Sequence, residues 1–291
     1  MKKRTRFLLW CNRFFKPPVH PLNLQNDGVK SYAMWQYEKG AQTIKFYLER
    51  YTEAEMFAGK TVVDIGCGAG GKSLYYASRG AKEVIGVEIL EKYRAEADAL
   101  AKKLGLTDKF RFVCADAAAL PFADGSVDTI IMNDAMEHVA KPEAVLAETM
   151  RILRPGGRLF VNFPPYNHPF GAHLSDLIYI PWVHLFFSEP VLVEAYKELA
   201  KQVPDGDARI AFRISPREDG TEYFSYINHM TIRRFHKILS EMGIRPAYYR
   251  QIPLRNILRA PAKVPGLREL FVKMVVCVFE KEEVKKQNVH T

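Results

Sequence analysis

The chain has 291 residues, enough for one large α/β domain or for a domain with a sizeable insertion. Hydrophobic residues make up 48% of it, so a packed core is expected. No uninterrupted apolar run reaches the roughly 18 residues that a membrane-spanning helix needs. The formal net charge of +9 favours anionic partners such as phosphate esters, lipid headgroups or nucleic acid, without choosing among them. Cys11, Cys67, Cys114 and Cys277 are scattered, with no CxxC pair. That excludes a disulfide scaffold or zinc module and suits a reducing cytoplasm.

The opening stretch Met1–Lys16 carries Lys2, Lys3, Arg4, Arg6, Arg13 and Lys16 and no acid. Interleaved are Phe7, Leu8, Leu9, Trp10, Phe14 and Phe15, with Phe7, Trp10, Cys11 and Phe14 on one helical face. Such a helix suits a membrane interface or docks on a domain. It lacks the long apolar stretch and small-residue cleavage site of a secretory signal. Pro17–Gly28 reads as a linker, and Trp35–Tyr51 as an amphipathic helix.

An alternation follows. Thr61–Ile65 is a short buried strand, then a glycine loop and a helix over Lys72–Ser78. Val84–Glu88 is a second strand, Glu91–Leu104 a helix, Phe110–Cys114 a third strand and Val127–Met132 a fourth. Pro142–Leu153 is a helix that stops at the RPGG of Arg154–Gly157, and Arg158–Phe163 is a fifth strand. This rhythm implies a parallel sheet with helices on both faces. Pro164–Met230 breaks it, being rich in aromatics, histidines and prolines without a clean period. Thr231–Met242 returns to helical spacing, and Pro246–Ile252 and Val272–Glu280 are two late strands.

The strongest motif is VVDIGCGAGG, Val62–Gly71, between a strand and a helix. Glycines let the chain turn sharply and let a ligand approach the backbone, and the helix start offers free N–H groups. Gly66, Gly68 and Gly71 satisfy the dinucleotide pattern GxGxxG, while Gly66, Gly68 and Gly70 satisfy GxGxG, so the glycines leave both cofactor classes open. Glu88 ends the next strand about 20 residues on, where a carboxylate accepts from ribose hydroxyls. Asp116, just past the third strand, can accept from an exocyclic amine. Asp64, at the end of the first strand, suits a cationic ligand.

Taken together, VVDIGCGAG, the GVE ending at Glu88, ADAAALPFADGSVD, NDAMEHV and RILRPGG resemble the class I S-adenosylmethionine-dependent methyltransferases of the type 11 group, which includes ubiquinone-biosynthesis-like enzymes. The resemblance covers residues 61–163. It implies an α/β fold with a Rossmann-like doubly wound sheet, mostly parallel with an antiparallel late strand, helices on both faces and an inserted lid after the fifth strand. The organisation expected is a basic N-terminal segment and linker over 1–30 and a methyltransferase domain over 31–291, with its core at 55–163, the lid at 164–230 and a C-terminal helix and strands at 231–282.

The same resemblance implies residue roles. Asp64 with the backbone of Gly66 and Gly68 would hold the methionine end of S-adenosyl-L-methionine, in a loop that also holds Cys67 and Gly70. Glu88 would grip the ribose, Ile89 would pack on adenine, and Asp116 with the backbone of Ala117 would read its edge. Asn133 would border the methionine portion, with Asp134, Glu137 and His138 close by. Histidine titrates near neutrality, so His138 is a candidate catalytic residue, as are His168 and His173 in the insertion. A metal site from His168, His173, His184 and Asp176 lacks any recognised ligand spacing, and none is expected. Asn162–Pro165 resembles an amino-methyltransferase motif but follows the wrong strand.

The aromatic run Ile178–Phe187 suits a small-molecule acceptor, flat or lipidic, methylated at O, N or C. Nucleic acid is disfavoured, since Arg233, Arg234, Arg245, Arg250, Arg255 and Arg259 belong to no recognisable RNA module. The location expected is cytoplasmic, peripheral to the inner face of a membrane through the N-terminal segment. The alternatives are an NAD-dependent oxidoreductase, on the GxGxxG overlap, and a cofactor-binding regulatory protein without turnover.

Overall fold

The computed structural model describes residues 1–18, 23, 31–255, 258, 260–264 and 266–282. Residues 19–22 and 24–30, most of the expected linker, and Arg259 lie outside them. The chain divides into two compact units. One comprises Tyr32–Phe163, Ile238–Arg250 and Val276–Thr291; the other comprises Met1–Ser31, Pro164–Lys237 and Gln251–Val275.

The first unit holds the alternating elements. Helix α2 (Tyr32–Ile44) and the short α3 (Glu53–Phe57) lead into strand β1 (Thr61–Ile65), α4 (Gly71–Ser78), β2 (Glu83–Glu88), α5 (Arg94–Leu104), β3 (Phe110–Cys114), β4 (Val127–Asn133), α6 (Pro142–Ile152) and β5 (Leu153–Phe163). With β8 (Tyr248–Pro253) and β9 (Val272–Glu280), the sheet runs β3-β2-β1-β4-β5-β9-β8. β1 to β5 pair in parallel. β9 runs the other way: Gly156 N donates to Lys281 O while Lys281 N donates to Gly157 O. The chain steps outward from β1 through β2 to β3, then returns to β4 on the other side. Right-handed crossovers therefore put α4 and α5 on one face and α6 on the other, and leave a crevice between the carboxyl ends of β1 and β4. The strands are Val- and Ile-rich and buried on both faces, as parallel strands must be.

The expected helix at Trp35–Tyr51 starts and ends earlier. Residues 91–93 form a 3-10 turn before α5. The RPGG stretch is not a turn between helix and strand. α6 ends at Ile152, β5 begins at Leu153, and Arg154–Gly157 bulge out of it where the β4–β5 register shifts. A bulge frees proline from the ladder bond it cannot donate.

The second unit shows what the aromatic stretch conceals. Helices α7 (Val183–Phe186), α8 (Glu189–Ala200) and α9 (Gly206–Arg213) precede a hairpin of β6 (Ile214–Pro216) with β7 (Glu222–Phe224). Val191, Leu192, Ala195 and Tyr196 of α8 pack in a core with Leu174, Leu177, Ile178 and Phe224. The N-terminal helix α1 (Lys3–Asn12) joins that core through Leu8. Asn12 donates to Leu177 O at 2.9 Å and accepts from Tyr179 N at 2.7 Å.

Asp176 is fully buried in this unit. It accepts from Tyr196 Oη at 2.7 Å and faces Arg209 Nη1 at 3.2 Å and Arg213 Nη2 at 3.3 Å. It is thus committed to two guanidinium groups and does not join His168, His173 and His184 as a metal ligand. Removing it leaves two buried cations without their shared anion. Asp176→Ala is expected to lower the unfolding free energy by about 3–5 kcal/mol in urea titrations followed by circular dichroism. A loss under about 1 kcal/mol would show the pair to be solvated instead.

Candidate active site

The loop after β1 makes three left-handed turns, with φ of +71° at Gly66, +56° at Gly68 and +75° at Gly70. A side chain at Gly68 would meet Gln36 Nε2 at 2.9 Å, and one at Gly71 would meet Ala33 O at 1.9 Å. The loop is therefore wedged against α2. Gln36 accepts from Gly71 N at 3.3 Å and donates to Cys67 O at 3.4 Å. Gly40 lets α2 cross close to Tyr75 of α4, where an added Cβ would lie 2.2 Å from the ring. Cys67 is buried and its thiol is pushed well up by burial, so it is a packing group.

Glu88 is held by main-chain donors. Its Oε2 accepts from Gly68 N at 3.0 Å, and its Oε1 accepts from Ile89 N at 3.0 Å and Leu90 N at 3.1 Å. Ile89 is 65% exposed, which is unusual for its type and leaves an apolar shelf open to a ligand. Asp116 is exposed, with Oδ1 accepting from Ala118 N at 2.9 Å. Glu88, Ile89, Asp116, Ala117, Gly66 and His138 line one cleft of about 250 Å3. His138 Nε2 lies 3.9 Å from Glu137 Oε1, and burial raises the Glu137 carboxyl well above its usual range.

Asp64 and Asn133 are both buried. Asn133 Oδ1 accepts from Tyr47 Oη and from Asn162 Nδ2, both at 2.6 Å, and its Nδ2 donates to Tyr76 Oη at 3.3 Å. The next residue, Asp134, is left-handed at φ +52° and pairs with Lys72 at 3.3 Å. Asp64 is 3% exposed and accepts from Ser73 Oγ at 2.6 Å. Burial raises its pKa to about 6, against the opposing pull of Ser73 and Lys72.

His168 and His173 belong to the other unit. Burial, then Lys273 and His184, lower His168 to about 4, and its Nδ1 accepts from Phe170 N at 3.2 Å. His173 is left-handed at φ +54°, and its carbonyl accepts from Arg213 and Tyr226.

Helix α2 supplies residues that motif reading missed. Besides Gln36, it brings Tyr32, whose pKa is pushed to about 12 by burial and by the charges of Glu88 and Asp134. The available signal was Gly40, a glycine inside a helical run, which usually marks close packing. Tyr47 and Tyr76 gave no local signal, and Asn162 stood out only in a motif that follows the wrong strand, because their meeting is tertiary.

Residues 63–161 match the family model of the methyltransferase domain. A chloroplastic tocopherol O-methyltransferase of Arabidopsis thaliana is 37% identical over 102 residues, 35% of this chain and 29% of the relative. A sterol 24-C-methyltransferase of Gibberella zeae is 37% identical over 99 residues, 34% of this chain and 26% of the relative. The matched stretches span less than half the length of the curated relatives, from 26% to 49%. Geranyl diphosphate C-methyltransferase from Streptomyces coelicolor A3(2) has the same fold, with a TM-score of 0.53 over 84% of this chain and 79% of that one, at 17% identity. Over these residues the chain carries a class I S-adenosylmethionine-dependent methyltransferase domain of the type 11 group. S-adenosyl-L-methionine is the cofactor of such a domain, and the residues fit it. Glu88 and Asp116 offer acceptors at the cleft rim, Ile89 and Ala117 offer apolar walls, and the glycine turns keep Cβ atoms off the main chain.

The Asp64 shift fixes a sign. An acid with a higher pKa folded than unfolded binds extra protons in the folded state between about pH 4 and 6. Stability falls as pH rises through that window, and a shift of about two units costs about 3 kcal/mol at neutral pH. Asp64→Asn keeps an acceptor for Ser73 and removes the buried charge. It should raise the unfolding free energy at neutral pH by up to about 3 kcal/mol and flatten the profile between about pH 4 and 6. A variant whose denaturation profile overlays the parent's would refute this account.

Proposed function

We propose that the chain is an S-adenosylmethionine-dependent methyltransferase acting on a small, apolar acceptor, aromatic or lipidic, at O, N or C. The observation that carries the reading is the joint presence of Glu88, Ile89, Asp116 and Ala117 around one cleft at the carboxyl edge of the sheet, beside the glycine turn. In this reading Glu88 takes the ribose hydroxyls, Ile89 covers adenine, and Asp116 with the backbone of Ala117 reads the adenine edge. The backbone of Gly66 and Gly68 faces the methionine end, with Cys67 and Gly70 shaping the turn. Asp64 joins them in holding the methionine end, and Asn133 borders the methionine portion.

S-adenosylmethionine supplies a methyl group already bonded to a good leaving group. The chain's task is placement and exclusion of water, more than proton transfer. His138 lines the cleft and is the best-placed candidate to take a proton from an acceptor hydroxyl. His168, neutral at physiological pH, and His173 remain further catalytic candidates from the insertion. Tocopherol and sterol methyltransferases among the relatives agree with an apolar acceptor. A lipid-dissolved acceptor would bring the enzyme to a membrane surface, on the cytoplasmic side, where unpaired cysteines persist. An NAD-dependent oxidoreductase is disfavoured by Asp116, and a regulatory protein by the complete acidic set.

The test has two parts. Glu88→Ala and Asp116→Ala should each weaken S-adenosylhomocysteine binding by about 1–3 kcal/mol in calorimetry, with no heat from NAD. Labelled methyl should pass to the lipid or small-molecule fraction of an extract. Unchanged affinity in both variants, or label found only in RNA or protein, would overturn the reading.

A further inference from the structure

Helix α1 has two faces. Thr5, Leu8 and Asn12 are buried: Thr5 bonds Glu194, Leu8 enters the core and Asn12 clasps the backbone at Leu177 and Tyr179. The opposite stripe points outward, with Phe7 57%, Trp10 55% and Phe14 69% exposed. These rings touch in sequence, Phe7 to Trp10 at 6.0 Å and Trp10 to Phe14 at 4.9 Å between centroids. Phe7 also meets Phe187 at 6.4 Å, so the stripe continues onto the α7 segment, where Leu185 is exposed and Phe186 is 71% exposed. Lys3, Arg4, Phe7, Phe15, Phe186 and Phe187 line a shared open groove.

So many large rings held in water from two separate segments mark a binding face. Its charge chooses the occupant. Lys2, Lys3, Arg4, Arg6, Arg13 and Lys16 are all exposed. No acid occurs in residues 1–16 or 177–188, and the nearby Glu194 is taken up by Thr5 and the amino terminus. A second copy meeting this patch about a two-fold axis would set six cations against six. An anionic bilayer instead satisfies both features, since aromatic rings settle at the headgroup level while lysine and arginine reach lipid phosphates.

We propose that Phe7, Trp10, Phe14, Leu185 and Phe186, rimmed by the N-terminal cations, form a docking face for an anionic lipid surface. This deepens the membrane contact in the proposed function and rests on that part of it alone. The face is built by the fold, not by a loose basic tail. Deleting the first sixteen residues would also remove Leu8 from the core, so exposed-residue substitutions are the cleaner probe.

The experiment is co-sedimentation of the full chain with phosphatidylglycerol–phosphatidylcholine vesicles and with phosphatidylcholine alone, without cofactor or acceptor. Partitioning should be about tenfold stronger on the anionic vesicles and fall several-fold between about 0.1 M and 1 M salt. Trp10→Ser with Phe186→Ser, and separately Lys3→Glu with Arg4→Glu, should each reduce it about tenfold while far-UV circular dichroism is unchanged. Equal partitioning of parent and variants, no preference for anionic vesicles, or a parent dimer that the ring substitutions split would overturn the proposal. Failure here leaves the methyl-transfer assay untouched, because the vesicles contain no substrate.

Discussion

The backbone between Gly66 and Gly71 follows its path because Gly66, Gly68, Gly70 and Gly71 put no Cβ in the way of their neighbours. Three of its residues are left-handed, and at Gly71 the main chain passes within touching distance of Ala33 O on α2. That constraint fixes the start of α4 and the depth of α2. It also fixes the position of Gly68 N, which reaches Glu88 at the end of the neighbouring strand. The cleft is a consequence of this packing: two parallel strands end side by side, and a glycine-rich turn leaves room above them.

The polar groups of the site are held by the protein's own hydrogen bonds. Three main-chain N–H groups orient Glu88, and two tyrosines and an asparagine orient Asn133. Side chains already locked in place lose little entropy on binding, which leaves more of the contact energy for affinity. The arrangement has a cost in stability, carried at Asp64, whose buried carboxylate has one hydroxyl donor, Ser73 Oγ, and the charge of Lys72 to compensate it.

The alternating core was legible because each of its elements obeys a local rule. β1, β3 and β9 have the bounds that their apolar runs imply, and Glu88, Ile89, Asp116 and Ala117 line one cleft because fixed offsets from strand ends place them there. RPGG was misread as a simple stop because a bulge and a turn use the same residues; only the β4 register separates them. The insertion hid its helices because Pro190, Trp182 and the histidines mask a pattern that is plain once Val191, Leu192, Ala195 and Tyr196 are seen to share a core. The hydrogen bonds of Asn133 to Tyr47 and Asn162 could not be read from the sequence, because these partners come from distant parts of the chain.

The same limit explains why identical residue types carry different chemistry here. His138 lines the cleft, 34% exposed and next to a buried carboxyl, while His168 is kept neutral first by burial and then by the charge of Lys273. Asp116 is in solvent, whereas Asp176 sits among guanidinium groups and Asp64 has a single hydroxyl donor. Sequence supplies the group, and burial together with the nearest charge decides whether it holds a proton, a salt bridge or a ligand. Asp64 and Asp116 could be exchanged by eye in a motif, yet one is buried with its pKa raised to about 6 and the other stands exposed just past β3.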